Sequence, residues 1–193
     1  MAGLDIGNYN GSWDKLFGKS IKVLRKFSQF LLITDGDTSI LDSLKGKVKV
    51  LVQRCLWHIP YQAKYVLWQD GVKHKSAEWL QVMSELMEIC AIRPLVDCEK
   101  TIKKMIESKR KRLESVIQYC LSKGYTHTAS YLENAMPDMF TAIEKRLKGK
   151  TTSKVERVMR TINMRVNVSK WSIAGALNVT KIRLAYYYNG FDA

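Results

Sequence analysis

Apolar positions in the first third of the chain follow two different periods. Residues 12–27 carry apolar side chains three or four positions apart, which predicts a helix. The short apolar run FLLIT at 30–34 predicts a strand buried on both faces. Residues 38–45 predict a short helix whose N-cap is Thr38 or Ser39. Residues 47–55 predict a second strand. Strand, helix and strand with short connections predict an α/β unit with parallel strands.

Beyond Pro60 the pattern becomes helical, and residues 61–150 contain no convincing strand. Helical spacing predicts helices over 75–92 and 99–122, the second stopped by Gly124. A further helix is expected from about Thr126, broken near Pro137, with another running to Leu147; two last helices are expected at 153–166 and about 176–188. The fold class is therefore α/β but mostly helical, with a large all-α insertion.

The charge balance adds a partner to this picture. The chain has 32 Lys and Arg against 18 Asp and Glu, a net charge of +14. Such an excess favours a polyanion, with nucleic acid first and an acidic membrane surface second, although a basic protein needs no such partner. No apolar run is long enough to predict a membrane-spanning helix. The four cysteines lack a paired short spacing, so reduced thiols are expected rather than a zinc site.

Two acidic residues follow the first predicted strand in Asp35-Gly36-Asp37. Open α/β sheets bind ligands at the carboxyl ends of their strands, and carboxylates there can hold a hard cation such as Mg²⁺. Asp and Gly also form turns and cap helices, so a purely structural role is equally consistent with the residues alone.

A cysteine and a histidine follow the second predicted strand, in QRCLWH. Cys55 and His58 could bind a metal or form a nucleophile and base pair. The residues themselves favour a simpler interpretation, a buried structural cysteine and a hydrogen-bonded histidine, because unpaired cysteine is among the most buried residue types.

Glu156 stands near the start of a late predicted helix. Ser153-x-x-Glu156 is a capping box, which by itself accounts for this glutamate. Its alternative role is that of a metal-binding carboxylate on the first turn of the helix.

Basic residues concentrate in the helical insertion and around Glu156. They are equally consistent with a DNA-binding surface and with an ordinary solvated helix face. The candidates for DNA contact are Lys103, Lys104, Lys109, Arg110, Lys111, Arg112, Arg157 and Arg160, and further basic residues flank the late helix at Arg146, Lys148, Lys150 and Lys154.

The order of these motifs resembles a known family more strongly than any motif does alone. A strand ending in ITDGD, a strand ending in QRCLWHI, a helical insertion and a late helix with an isolated Glu resemble the Mutator-like DDE transposases and their prokaryotic insertion-sequence relatives. The C-terminal segment, with its Glu- and Arg-rich helix and a following Trp and Gly-Ala step, is also similar to the end of such transposases. The resemblance covers roughly residues 12–190.

The resemblance implies a partial RNase H-like core at 1–60, an all-helical insertion at 61–149, and C-terminal helices at 150–193 that complete the core. It implies that Asp35 and Glu156 are catalytic and bind the metal. It further implies that His58 acts on the scissile phosphate, with Cys55 and Asp37 as active-site support.

The implied activity is metal-dependent DNA strand cleavage and transfer with Mg²⁺ or Mn²⁺. Two metal ions activate the attacking oxygen and stabilise the leaving oxygen in such reactions. The implied partners are the DNA of the element ends and of the target, and either a homo-oligomer or an assembly with an intact transposase. A cytoplasmic, nucleoid-associated location without a membrane is expected.

The sequence departs from the family in its N-terminal part. The first catalytic Asp of the family lies on an earlier strand, and only Asp5 is an acidic candidate before the first predicted helix. The chain is therefore expected to be an N-terminally truncated transposase that alone performs no strand transfer. Two other classes stay open: a catalytically inactive remnant that binds DNA non-specifically or regulates intact copies, and an unrelated helical RNA-binding or scaffold protein.

Overall fold

The computed structural model describes residues 9–92, 99–147, Arg157, Arg160 and 172–189. The described part is mostly helical and contains one parallel sheet of two strands. The predicted class, a mostly helical α/β chain, is confirmed at this level. The chain divides into two compact units, one of residues 1–30, 37–50 and 153–193, the other of residues 31–36 and 51–152. The division into three parts at 60 and 149 stays a prediction.

The first elements follow the predicted order. Helix α1 spans Tyr9–Leu24, strand β1 Phe30–Thr34, helix α2 Thr38–Leu44 and strand β2 Val50–Arg54. The strands pair in parallel, with the Phe30 amide bonded to the Lys49 carbonyl at one end and the Cys55 amide to the Thr34 carbonyl at the other. The expectation that β1 is buried on both faces is wrong, because only Thr34 is buried and its other residues are half-buried. In a sheet of two described strands, both strands are edges and stay partly accessible.

The cap of α2 also differs from the prediction. The N-cap is Asp37, whose carboxylate accepts hydrogen bonds from the Ser39 amide at 2.9 Å and the Ser39 hydroxyl at 2.6 Å. Asp is a strong N-cap residue because its oxygen satisfies an amide that the helix leaves without a partner. Thr38 and Ser39 are therefore the first helical residues, not the cap.

The helical block consists of consecutive helices, and its last helix ends at Glu144, short of the predicted Leu147. They are α3 (His58–Gln69), α4 (Ala77–Cys90), α5 (Glu99–Ser122), α6 (Thr126–Ala135), a 3₁₀ turn (Met136–Asp138) and α7 (Thr141–Glu144); α8 (Ile173–Asn189) follows later in the chain. The predicted stop at Gly124 is confirmed by its φ of +77°, a left-handed conformation that ends helices. Pro137 lies in the 3₁₀ turn, so the break near it is confirmed as well.

Helix α3 is an element that the hydrophobic pattern did not predict. Pro60 falls in its first turn, where a missing amide proton costs no helical hydrogen bond. Its buried residues Ile59, Ala63 and Leu67 pack into a core shared with α4, α5 and α6. This core is the main apolar cluster of the second unit, and it fixes the position of the segment that leads out of β2. Of the last two predicted helices, 153–166 lies outside the described residues apart from Arg157 and Arg160.

Candidate active site at the sheet edge

Asp35 stands directly after the end of β1 in a tight local network. The Thr34 hydroxyl donates to the Asp35 carboxylate at 3.4 Å and accepts from the Gly36 amide at 3.2 Å. Thr34 is buried, whereas Asp35 is only half-buried. The carboxylate is thus held at the carboxyl end of the strand, with part of its surface open to a ligand.

Parallel pairing brings the second motif next to the first. The Cys55 amide donates to the carbonyl of Thr34 at 2.8 Å. Cys55 therefore lies next to Thr34, the residue before Asp35. Cys55 is fully buried, which agrees with its interpretation as a structural cysteine. The His58 amide then bonds to the Cys55 carbonyl at 3.0 Å, which turns the chain so that His58 becomes the first residue of α3.

The His58 ring is held between aromatic side chains. It lies edge-to-face against Trp57 with ring centroids 5.0 Å apart and against Tyr61 at 6.2 Å. These contacts limit the orientations of the imidazole at the N-terminus of α3. The partial positive charge of a helix N-terminus also favours an anion, such as a phosphate, near this position.

Arg54 is a site residue that local sequence patterns did not reveal. Its guanidinium pairs with Asp138 at 3.2 Å and donates to the Asn134 carbonyl at 3.1 Å, which links the end of β2 to the helical block. Burial raises the pKa of the Asp138 carboxyl, and the neighbouring Arg54 opposes that rise. Arg54 and Asp138 are 84 positions apart in the chain, so no local motif marks them.

Gly36 owes its identity to Arg54 as much as to the turn. Its φ is +115°, a conformation that side chains rarely adopt, and a Cβ at this position would collide with the Arg54 guanidinium. Arg54 therefore packs directly against the backbone that follows Asp35. The Asp-Gly-Asp sequence signalled a turn, but it gave no sign of this arginine.

Gln53 fastens the same strand end from inside the core. Its side chain is fully buried; the amide donates to the Met139 and Arg54 carbonyls at 2.6 Å each and its carbonyl accepts from the Ala142 amide at 2.8 Å. A buried amide whose nitrogen and oxygen are both hydrogen-bonded rigidifies the structure around it. The segment that carries Cys55 and His58 is thereby fixed to residues 139–142.

Tyr131 of α6 adds a buried phenol to this region. Burial raises the pKa of Tyr131; Arg54 opposes the rise, while Asp35 and Cys55 add to it, so all three lie within electrostatic reach of the hydroxyl. The phenol therefore stays protonated at neutral pH, and its buried hydroxyl has no hydrogen-bond partner among the described residues.

The second predicted metal ligand, Glu156, lies outside the described residues. The same holds for Asp5, and so the predicted proximity of Asp35 and Glu156 stays a prediction. Within the described ranges, no three His, Cys, Asp or Glu side chains form a group that could hold a metal ion. Among the described residues, Asp35 presents one partly exposed carboxylate at the end of β1. Asp37, predicted as active-site support, uses its carboxylate as the N-cap of α2.

The basic run of α5 is not a uniform solvated face. Lys109, one of the predicted DNA-contact residues, is not solvated. Its side chain is buried, and its ammonium donates to the Glu88 carbonyl at 2.6 Å and the Ala91 carbonyl at 3.5 Å at the end of α4. Burial lowers the pKa of the Lys109 amine, an effect that Glu88 opposes. Lys109 is therefore tied to the end of α4 and is not part of the exposed face of α5.

The two arginines of this run are also engaged within the protein. Arg110 pairs with Glu144 at 2.8 Å and lies over the Phe140 ring at 5.6 Å, and Arg112 pairs with Glu85 at 2.8 Å. These two glutamates largely compensate the positive charges of the arginines within the protein. Both arginines are only half-exposed.

The lysines of the run and the two later arginines are accessible. Lys104 and Lys111 are exposed and form no ion pair within the described part of the chain. Lys103 is exposed and pairs with Glu99 at 3.2 Å across one turn, a contact of small energetic value at a surface. Arg157 and Arg160 occupy exposed helical positions. The accessible part of the predicted DNA-binding set is therefore Lys103, Lys104, Lys111, Arg157 and Arg160.

No protein-family model matches this chain, and neither the curated proteins nor the solved structures contain a match to it. In the parts of the chain that the structure describes, no helix is both long and apolar enough to cross a bilayer.

Proposed function

We propose that this chain is part of a DDE-type transposase of the Mutator-like and insertion-sequence superfamily. Its sheet and C-terminal helices would belong to an RNase H-like core, and helices α3 to α7 to the insertion. It would act in DNA transposition by metal-dependent strand cleavage and transfer. One observation carries the proposal: the hydrogen bond from the Cys55 amide to the Thr34 carbonyl, which sets the Cys55–His58 element beside Asp35.

The proposal gives each site residue a chemical task. Asp35 and Glu156 would hold Mg²⁺ or Mn²⁺, and the bound ions would stabilise charge on the phosphate during transfer. Oxygen ligands suit both ions. His58, oriented by Trp57 and Tyr61, would donate to a phosphate oxygen. Arg54, braced by Asp138, would keep the backbone after Asp35 in place.

DNA as the partner is supported by charge. The net charge of +14 and the exposed lysines of α5 favour binding to phosphates through counterion release. The same lysines would also serve a catalytically inactive remnant that only binds DNA. The two functions differ in whether Asp35 and Glu156 bind a metal.

Metal binding is therefore the decisive test. Mn²⁺ binding to the full chain is measured, with and without duplex DNA, as the loss of the electron paramagnetic resonance signal of the free ion. We expect Asp35→Asn and Glu156→Gln each to abolish the same tight binding, because both carboxylates would ligate the metal. Glu133→Gln, which removes an exposed carboxylate of α6, should leave binding unchanged.

Nicking of supercoiled plasmid in Mn²⁺ separates the remaining cases. Cleavage that Asp35→Asn abolishes would support an active transposase and would contradict the expectation that this chain alone performs no strand transfer. Binding of DNA with no Mn²⁺ site sensitive to either substitution would instead favour the inactive DNA-binding remnant. Mn²⁺ binding that persists in Asp35→Asn would remove Asp35 from the site and with it the proposed catalytic function.

A further inference from the structure

Helix α3 and its N-cap residue Trp57 present a row of aromatic side chains to solvent. Trp57, Tyr61, Tyr65 and Trp68 are spaced four, four and three residues apart, so they lie along one face of the helix. Their exposed fractions are 49%, 42%, 51% and 75%. We call this row the aromatic ladder. A contiguous exposed apolar surface of this kind indicates a binding site, because isolated proteins seldom leave large rings in water.

Three of the four rings of the aromatic ladder contact one another. Trp57 stacks on Tyr61 with centroids 5.1 Å apart, Tyr61 meets Tyr65 edge-to-face at 5.7 Å, and the Tyr65 hydroxyl bonds to that of Tyr61 at 3.4 Å. Tyr61 is therefore the internal brace. The indoles of Trp57 and Trp68 stand at the two ends, about 16 Å apart along the helix axis at 1.5 Å per residue.

The charge beside the aromatic ladder is positive. The Lys64 ammonium lies 3.8 Å from the centre of the Tyr61 ring and 4.8 Å from that of Tyr65. Helix α3 contains no acidic residue. Asp70, just past its end, is engaged by the Thr128 hydroxyl at 2.7 Å and by the first amides of α6. Open π faces with a cation between them complement a ligand that is apolar and planar in one part and anionic in the next.

We infer that the aromatic ladder of α3 binds single-stranded DNA, with unpaired bases stacked on Trp57 and Trp68 and a phosphate held by Lys64. Bases stack on aromatic rings whatever their sequence, and a nearby cation follows the backbone. This site is distinct from the exposed lysines of α5 and does not depend on metal binding at Asp35. It would therefore operate in an active transposase and in an inactive DNA-binding protein alike.

The test compares two probes of equal charge. Binding of the full chain to a fluorescein-labelled oligothymidylate is measured by anisotropy, beside an analogue with the same number of phosphates and abasic sugars in place of thymidine. Removing one stacking partner should weaken binding by about 5- to 150-fold. We expect the abasic analogue, which has no base to stack on either tryptophan, to lose at least this much affinity, and Trp68→Ala to lose this much on oligothymidylate only.

Matched variants separate stacking from charge and from folding. Trp68→Phe, which keeps an aromatic face, should restore most of the affinity, and Leu80→Ala, which trims an exposed side chain of α4, should leave it unchanged. Trp68→Ala should keep the salt dependence of wild type. Lys64→Gln should reduce the slope of log affinity against log salt by about 0.7, the value for one phosphate of a single strand.

Three results would overturn the inference. The first is equal affinity for the abasic and the thymidine probes. The second is a loss in Trp68→Ala that is as large on the abasic probe as on oligothymidylate, since a probe without bases has no stacking to lose. The third is sedimentation showing a dimer that Trp68→Ala dissociates, which would make the aromatic ladder an interface between copies of this chain.

Discussion

The segment from Gln53 to Trp68 and the basic run of α5 both reverse the usual relation between side-chain type and exposure. In the first segment, polar Gln53 is fully buried while Trp68 is 75% exposed. In the second, Lys109 is buried within a row of cations, while Lys104 and Lys111 on the same helix are exposed. Both segments border the same apolar core, and they differ in which of their side chains turn toward it.

This difference shows that a run of like residues in the sequence does not by itself indicate a continuous surface of those residues. In the α5 run, the helical period alternately turns consecutive cations inward and outward, so a cluster in sequence is not a cluster on the surface. In α3 the same period brings aromatic residues that are separated in sequence onto one face. The surface proposed to bind duplex DNA is thus narrower on α5 than the run suggests, and the separate site proposed on α3 lies where no run of like residues exists.

The largest effect should separate two adjacent residues of α3. Leu67 is fully buried in the core, so Leu67→Ala should lower the free energy of unfolding by about 2–5 kcal/mol. Trp68→Ala should change it by less than about 0.5 kcal/mol, because the indole is mostly in water. Urea titration followed by circular dichroism measures both. A large loss in Trp68→Ala would mean that the aromatic ladder supports the fold and is not a free surface.

A smaller effect should distinguish two lysines two positions apart on α5. Lys109→Met leaves the Glu88 and Ala91 carbonyls without their donor, so we expect a loss of about 1–3 kcal/mol in unfolding free energy. Lys111→Met, at an exposed position, should stay within about 0.5 kcal/mol of wild type. Equal stabilities of the two variants would show that the Lys109 ammonium does not hold the end of α4.

The smallest effect concerns duplex DNA. Replacing Lys104 and Lys111 together with Gln should flatten the slope of log affinity against log salt by about 0.9 for each phosphate that is no longer neutralised. The matched variant Arg110→Gln with Arg112→Gln should leave the slope nearly unchanged, because both guanidinium groups are paired within the protein. Fluorescence anisotropy over a salt series is the measurement. A slope that responds only to the arginine pair would reverse the assignment of the accessible surface.

Local patterns were sufficient for most of the secondary structure. Strand β1 has the predicted bounds, α4 and α5 lie within or at the predicted ranges, and Gly124 stops α5 as expected. Each of these depends on a period or a stop signal within one or two turns of chain. Helix α3 was not predicted, and the reason is also local. Its few buried residues are interspersed with exposed aromatic residues, so the apolar positions do not follow a clear helical period.

Local patterns predicted only some of the residues of the candidate site. Asp35, Cys55 and His58 follow strands that pair in parallel, and that pairing could be predicted from two apolar runs and a short helix. Gln53 and Arg54 could not be recognised, because their partners lie 80 to 89 positions away. Their role exists only once residues 134–142 are packed against the strand end.

The sequence by itself determined most of the helical content, the parallel strand pair, the positive charge and the order of the candidate motifs, because these depend on neighbouring residues or on simple sums. Only the tertiary structure decided which cations are available, why Gly36 must lack a side chain, and where aromatic rings meet water. Those properties depend on side chains from distant segments competing for the same space. Burial is set by that competition, and no local pattern contains it.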